Sequence, residues 1–178
     1  MKKAGQIVQI DEDKKNPLRL HADSVKKAEF GSQELKELIA LMQTALSKED
    51  DGVALAAPQI GISKRIFVVS LDAYEPGAKW KQLVFINPTI TKRSKKMEER
   101  QEGCLSVRWV YGKTKRHVST TVEAYDVEGN KFSYGGTGLI AHIFQHEIDH
   151  LDGILFIDHG FDFEEYTEEE VKEAAKKK

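Results

Sequence analysis

The chain has 178 residues, and its 27 Lys and Arg residues nearly balance 29 Asp and Glu residues, so the formal net charge is −2. This length supports one domain with its own core, and the balanced charge argues against nucleic acid as the main partner. No apolar run reaches the roughly 20 residues of a membrane-spanning helix, and the first residues lack the apolar stretch of a secretory signal. The single cysteine, Cys104, excludes an intrachain disulfide. We therefore expect a cytoplasmic protein with no membrane partner and no specific nucleic-acid partner.

Hydrophobic spacing and turn residues predict helices and strands that do not alternate regularly. In chain order the predictions are a helix at 32–46 capped by Ser32, a strand at 65–71, a strand at 82–86 ended by Asn87 and Pro88, a solvated hairpin or edge strand at 89–100, a strand at 118–126 with its return at 131–134, a helix at 139–151 and a short helix opened by the capping box at 167–170. Such an order favours an α+β fold with mostly antiparallel sheets. We expect a single catalytic domain over 1–178, in which 160–178 is a charged tail.

Residues 145–150 read QHEIDH and contain the pattern H-E-x-x-H. On a helix, positions i and i+4 share one face, so His146 and His150 can reach the same metal ion. Glu147 projects about 100° away from His146, where its carboxylate can take a proton from a water molecule beside the metal. The pattern predicts a hydrolase that activates water at a metal ion, with this helix central to the fold.

Two imidazoles leave a catalytic metal ion short of a third protein ligand. Metalloproteases with this pattern usually supply it from downstream of the helix, and residues 152–164 offer several carboxylates and one imidazole. The upstream alternative is Cys104, because a thiolate binds divalent first-row metals strongly. A lone cysteine is more often a small buried apolar residue, so residue types alone leave both alternatives open.

Three separated segments together resemble the peptide deformylase family. They are GVALAAPQIG at 52–61, EGCLS at 102–106 and QHEIDHLDG at 145–153, in the order and at the separations typical of that family. The segment NPLR at 16–19 is also similar. The resemblance extends over about residues 7–159 and implies a peptide-deformylase-like fold, in which mostly antiparallel sheets surround the helix that carries H-E-x-x-H.

The resemblance also implies a reaction and a role for each matched residue. The implied enzyme removes the N-formyl group from the N-terminal formyl-methionine of newly synthesised proteins and releases formate. The implied metal ligands are Cys104, His146 and His150, and the ion is natively iron(II), with zinc, nickel or cobalt as substitutes. The implied catalytic groups are the general acid/base Glu147 and two oxyanion donors, the Gln59 side chain and the Leu105 backbone N–H. The implied substrate-binding backbone belongs to Gly52, Val53, Ala54, Leu55 and Gly103.

The family also implies a nascent polypeptide as partner and a transient ribosome contact, and we expect the chain to be a monomer. Four residues, at three places in the sequence, depart from the family pattern. Ala54 stands where glycine is usual, Arg108 and Trp109 stand where proline is common, and His142 replaces an arginine or an aliphatic residue. We expect Ala54 to affect the fit of the substrate, and His142 to lie near the ligands or at the surface without binding the ion.

Three other functions fit parts of the sequence. A metalloprotease would use the same helix and take its third ligand from 152–164. A binding protein on the same scaffold would have lost its activity, although the matched polar positions are intact. A hydrolase with a cysteine nucleophile would use Cys104 with a histidine, but a thiolate that binds a metal ion is not free to attack.

Overall fold

The computed structural model describes residues 5–10, 16–70 and 82–175. Its elements are α1 (Gln33–Leu46), β1 (Ala54–Ala56), β2 (Ile66–Ser70), β3 (Gln82–Arg93), β4 (Met97–Cys104), β5 (Val107–His117), β6 (Ser119–Tyr125), β7 (Lys131–Thr137), α2 (Gly138–Leu151), β8 (Phe161–Glu165) and α3 (Glu168–Ala175). The predicted α+β class with antiparallel sheets is confirmed. Within the described ranges, none of the helices has the length and hydropathy to cross a membrane.

The strands form two antiparallel sheets. The larger sheet has the order β1-β2-β3-β6-β7, and the smaller sheet has the order β4-β5-β8. Strands β1 and β4 therefore each lie at an edge of their sheet. An edge strand carries backbone N–H and C=O groups on one side that no other strand of its sheet pairs.

The larger sheet lies between helices α1 and α2. Successive side chains of a strand point to opposite faces, so each strand can contact one helix on each face of the sheet. In β2, Phe67 and Val69 join the core cluster that contains α2, whereas Ile66 and Val68 join the cluster that contains α1. This two-sided burial explains the continuous apolar run that predicts the strand. The observed strand matches the prediction up to residue 70, and residue 71 lies outside the described residues.

Helix α1 begins and ends within one residue of the prediction. The Ser32 side chain accepts a hydrogen bond from the backbone N–H of Leu35 at 3.1 Å, as expected of an N-cap. Helix α2 likewise begins one residue before its predicted start and ends where predicted, at Leu151. Helix α3 begins directly after Thr167, whose hydroxyl accepts from the Glu170 N–H at 3.2 Å.

The predicted end of β3 at Asn87 and Pro88 is wrong, since the strand continues to Arg93. Asn87 adopts a left-handed conformation with φ of 49°, and the register shifts between Ile86 and Thr89. Pro88 therefore sits at a bulge, where a missing backbone N–H costs no ladder hydrogen bond. The Asn87 side chain binds both the N–H and the C=O of Val25, each at 2.9 Å, and this tertiary contact stabilises the bulge.

Three further strand segments were not predicted in full. Strand β5 is long and twists into the smaller sheet, β7 continues through Gly135 and Gly136 to Thr137, and β8 pairs with β5. The segment 89–100, predicted as a hairpin or an edge strand, contains the end of β3 and the start of β4 and so connects the two sheets. Glycines and alternating charges in these segments are not typical of strands. Local propensity therefore does not predict them, because pairing with neighbouring strands stabilises them instead.

Candidate metal centre

Helix α2 brings His146, Glu147 and His150 to the interior of the protein. Its apolar face packs on the larger sheet, where the Phe144 ring lies edge-on to Phe85 with centroids 5.1 Å apart. Glu147 and His150 are only 3% and 1% exposed, so burial of this face holds both side chains away from bulk water.

Cys104 lies at the end of β4, where the register shifts between Gly103 and Cys104. The shift turns the Cys104 side chain towards α2, and its Sγ lies 3.2 Å from Nε2 of His150. Nε2 of His150 lies 3.2 Å from Nε2 of His146. Ligand atoms of these three residues all lie within 4.8 Å of one another. Cys104 is at least 42 positions away from the two histidines in the sequence, whereas the two histidines are one helical turn apart. The structure brings all three side chains together.

Two of the three separations between the donor atoms, Cys104 to His150 and His150 to His146, are 3.2 Å each and so close to the separation that one metal ion requires. With metal–nitrogen bonds of about 2.0–2.1 Å and a metal–sulfur bond of about 2.3 Å, tetrahedral ligands lie roughly 3.3–3.6 Å apart. The sulfur accepts hydrogen bonds from the Ser106 N–H at 3.4 Å and from the Gln59 amide at 3.6 Å. Burial, with the neighbouring His146, lowers the pKa of His150 well below its usual value, so its ring is neutral and able to bind a metal. The residues present therefore fit a divalent transition-metal ion.

The downstream residues that were candidates for a third ligand are engaged elsewhere. Asp152 pairs with Arg65 at 2.7 Å, Asp158 with Arg19 at 2.5 Å, Asp162 with Lys113 at 3.0 Å, His159 with Asp149 at 3.4 Å, and Glu164 accepts from Tyr166. In the part of the chain that the structure describes, Cys104 with the two histidines is the group whose ligand atoms converge.

Glu147 lies on α2 between the two histidines, with its carboxylate in the cavity wall. Burial raises the pKa of Glu147 to about 7. One carboxylate oxygen, Oε2, is buried and has no hydrogen-bond partner among the described residues. A carboxyl group in this state can accept a proton and release it again near neutral pH.

Glu102 lies behind the three converging residues, and the sequence analysis did not single it out. Its carboxylate is 5% exposed and accepts hydrogen bonds from His146 Nδ1 at 2.5 Å, His142 Nε2 at 2.6 Å and Arg116 at 2.8 Å, and from the Thr114 hydroxyl. Burial opposes its charge, but these donors outweigh burial and hold the pKa of Glu102 far below its usual value. The bond to Nδ1 directs Nε2 of His146 towards the metal position. The only sequence signal was its place in the EGCLS segment.

His142 departs from the family pattern and is part of this buried cluster. It is 6% exposed, lies one helical turn before His146, and contacts Glu102 rather than the three converging donors. This position explains why an imidazole is accommodated among apolar neighbours, since its N–H has a charged acceptor.

Gln59 and Leu105 flank the sulfur of Cys104. The Gln59 side chain is 2% exposed, and its Oε1 accepts from the Ala56 N–H at 2.8 Å. This bond directs its amide nitrogen towards Cys104 Sγ and the Ser106 hydroxyl, the latter at 3.3 Å. The carbonyl oxygen of Leu105 accepts a hydrogen bond from the side-chain amide of Gln9 at 2.9 Å.

A cavity of about 240 Å³ opens in front of the converging donors. Gly52, Val53 and Ala54 form one side of it, and Gly103 and the residues that follow form the other. These two sides contain the edge strands β1 and β4. Among the described residues, Leu55 does not line this cavity, and its side chain packs in the core beside α1, fully buried.

The departures at Ala54 and Arg108 both lie at this cavity. The Ala54 side chain is 6% exposed and packs in the core cluster of the larger sheet, so the extra methyl group is accommodated there. Arg108 pairs with Asp51 at 2.7 Å and with Glu49. These pairs join the start of β5 to the loop before β1 across the mouth of the cavity.

Comparisons with known proteins agree with this geometry. A family model for polypeptide deformylases matches residues 5–165. The chain belongs to the peptide deformylase family. It is 43% identical over 122 residues to a peptide deformylase of Desulforudis audaxviator, a match that covers 68% of this chain and 75% of that protein.

Solved deformylase structures have the same fold. The class I type b peptide deformylase from Acinetobacter baumannii with Met-Ala-Ser bound gives a TM-score of 0.77 at 33% identity, covering 86% of this chain and 97% of that one. Its complex with actinonin gives 0.76 at 32% identity, covering 86% and 96%. The predicted membership of the deformylase family, and with it a metal-dependent hydrolase, is confirmed.

Proposed function

We propose that this deformylase removes the formyl group from the N-terminal formyl-methionine of newly made polypeptides and releases formate. The observation that carries the proposal is the convergence of one sulfur and two imidazole nitrogens beside a buried carboxylate, in a chain of this family. The Acinetobacter relative binds a peptide that begins with methionine, which supports a peptide substrate here.

Cys104, His146 and His150 hold one divalent ion, natively iron(II), with zinc, nickel or cobalt able to replace it. A ligand set of one thiolate and two imidazoles suits a metal of intermediate softness. When bound, such an ion polarises a carbonyl oxygen and lowers the pKa of a water molecule towards neutrality. Helix α2, which carries both imidazoles, is the central element of the reaction.

Glu147 moves the proton during hydrolysis. Its carboxylate takes a proton from the attacking water molecule and then delivers it to the nitrogen that leaves as the formyl C–N bond breaks. The free Oε2 and the burial of Glu147 support this role. One group can perform both transfers because its neutral and charged forms are close in free energy near pH 7.

Gln59 and Leu105 stabilise the negative charge that develops on the formyl oxygen. The Gln59 amide is fixed by its bond to Ala56 and needs no reorganisation to donate, and the Leu105 N–H is the second donor. Each donor of this kind contributes on the order of 3 kcal/mol to the transition state.

The substrate binds as an added strand between two sheet edges. Backbone groups of Gly52, Val53, Ala54 and Leu55 pair with it on one side, and Gly103 pairs with it on the other. The edge positions of β1 and β4 on opposite sides of the cavity support this arrangement.

Residues 1–178 act as a single catalytic domain with a core of about 7–159, and the chain works as a monomer. Formylated N-termini arise where translation starts, so the enzyme acts in the cytoplasm on the nascent polypeptide, with a transient ribosome contact. Sedimentation of the purified protein tests its monomeric state, and co-sedimentation with ribosomes tests the contact.

The reaction is tested by formate release from formyl-Met-Ala-Ser with anaerobically purified, iron- or nickel-loaded protein. We expect turnover by the native chain, and a loss of about 10²- to 10⁴-fold in kcat for Glu147→Gln with the metal content retained. Cys104→Ala should lose the metal, whereas the exposed Glu128→Gln is the matched control. Absence of formate release from metal-loaded protein contradicts the proposal, and unchanged metal content in Cys104→Ala would support a protease-type ligand set instead.

A further inference from the structure

A second, larger cavity lies beside the metal cavity and is bounded by the C-terminal segment. Its volume is about 860 Å³. Four residues of β4 and β5 line both cavities. Four residues between positions 166 and 174 line only the second one. The shared residues are Gln101, Glu102, Gly103 and Tyr111, and the C-terminal ones are Tyr166, Glu170, Val171 and Ala174. The second cavity, which we call the groove, therefore adjoins the metal cavity at these shared residues and extends from them to α3.

The C-terminal segment is held in place beside this groove. Strand β8 pairs with β5, and the Tyr166 N–H donates to the Trp109 carbonyl at 3.0 Å. The Tyr166 ring packs edge-on against the Tyr111 ring with centroids 5.8 Å apart. These contacts fix the start of α3 next to residues that line the metal cavity.

Tyr111 marks the junction of the two cavities. A side-chain carbon at Gly103 would lie 2.7 Å from the Tyr111 ring, so the ring packs directly on the glycine backbone. The backbone of Gly103, which pairs with the substrate in the proposed function, thus lies directly beside the aromatic pair of Tyr111 and Tyr166.

The α3 side of the groove is apolar with one carboxylate. Val171 and Ala174 are one helical turn apart and share a face, and Glu170 lies beside them. Among the described residues that line this second cavity, none is Lys or Arg. The helix therefore offers apolar contact and a single negative charge to whatever occupies the groove.

We propose that this groove binds the part of the nascent substrate that follows its first three residues, and that Glu170 makes a basic side chain there favourable. The inference rests on the proposed function. An extended peptide advances about 3.3 Å per residue, so a chain whose formyl end is at Cys104 passes Gly103 and continues along the groove within a few residues. The shared wall with the metal cavity and the Glu170 carboxylate favour the substrate peptide as the occupant, which would give residues 161–175 a role in substrate selection.

The test compares metal-loaded enzyme acting on formyl-Met-Ala-Ser-Lys-Ala and formyl-Met-Ala-Ser-Glu-Ala, with formyl-Met-Ala-Ser as the reference that ends before the groove. We expect kcat/KM for the lysine peptide to exceed that for the glutamate peptide by about two- to fivefold, as for an exposed ion pair. The preference should decline in 0.5 M salt, since salt screens such pairs.

Three variants locate the preference. Glu170→Gln keeps the acceptor that caps α3 but removes the charge, so the ratio of the two pentapeptides should fall to about one. Glu169→Gln, on the same helix outside the groove, should leave the ratio as in the native chain. Ala174→Trp fills the groove and should weaken binding of the deformylated product Met-Ala-Ser-Lys-Ala relative to Met-Ala-Ser, measured by calorimetry.

Equal kcat/KM for the two pentapeptides in the native chain, or a preference that survives in Glu170→Gln, overturns the groove assignment. A dimer in solution that Ala174→Trp converts to a monomer would also overturn it, because a second chain would then occupy the groove. These outcomes leave the proposed function intact, since that fails only if formyl-Met-Ala-Ser releases no formate.

Discussion

At Glu102, one buried carboxylate serves both the metal centre and the smaller sheet. Its two oxygens accept from His146, His142 and Arg116, and the Arg116 guanidinium also pairs with Asp149 at 2.5 Å. A buried charge is tolerated because every side of the carboxylate faces a donor. The same contacts fix the ring of His146 before any metal binds, which reduces the cost of assembling the site.

Replacement of Glu102 by glutamine should therefore weaken metal binding without displacing a ligand. The amide has one acceptor oxygen and no charge, so His146 loses its strongest orienting partner. We expect about a 10- to 100-fold loss of nickel or cobalt affinity, measured by competition with a chelator on protein whose fold is verified by circular dichroism. Glu99→Gln changes an exposed carboxylate of the same strand and is the control; equal affinities for both variants would refute a positioning role.

At the scale of elements, strand β7 holds α2 at the distance that the site requires. Gly135 and Gly136 follow one another in this strand but face different surroundings. A side-chain carbon at Gly136 would lie 2.3 Å from Cγ2 of Ile140 and 3.2 Å from Cε2 of Phe144, whereas one at Gly135 would have only the Thr121 hydroxyl, at 3.8 Å. Gly136 is thus where the first turns of α2 cross the strand at close range.

The two glycines give a matched pair of substitutions. Gly136→Ala should cost about 1–3 kcal/mol of unfolding free energy, because α2 must shift away from β7 to make room. Gly135→Ala should change stability by less than about 0.5 kcal/mol. Urea unfolding of the metal-free proteins measures both, and similar losses for the two variants would show that the close packing on Ile140 does not determine the effect.

At the scale of the whole molecule, the candidate metal site brings together side chains from the smaller sheet and from helix α2. Cys104 comes from the smaller sheet, whereas His146 and His150 come from the helix that packs on the larger sheet. A bound ion would therefore link the smaller sheet to α2, and through α2 to the larger sheet. A ligand that binds only the native state stabilises it by a free energy that rises with the logarithm of the free ligand concentration relative to the dissociation constant.

Removal of the metal should lower global stability. Free metal at 100 times its dissociation constant contributes about 2.7 kcal/mol, so chelation should move the urea midpoint of the native chain to a lower concentration. Cys104→Ala should show the same midpoint with and without metal. A metal-dependent shift that persists in this variant would mean that the ion binds elsewhere.

The sequence by itself determined the features that short segments encode. The α1 cap at Ser32, the bounds of α2, the buried strand β2 and the H-E-x-x-H pattern all follow from local spacing, since helical and strand periodicities are properties of neighbouring residues. The deformylase resemblance likewise follows from three short segments, and the family comparison confirms it.

Only the tertiary structure decided how those segments meet. The continuation of β3 past Pro88 depends on contacts between Asn87 and Val25, and the pairing of β8 with β5 depends on partners more than 40 residues away. From residue types alone, the third donor could have been Cys104 or a downstream acid; the register shift at Gly103 turns the sulfur towards α2, while ion pairs engage the acids. Long-range packing determines these positions. The residues next to a lone cysteine in the sequence do not distinguish a buried apolar residue from a candidate metal ligand, whereas the histidines that lie beside it in the fold do.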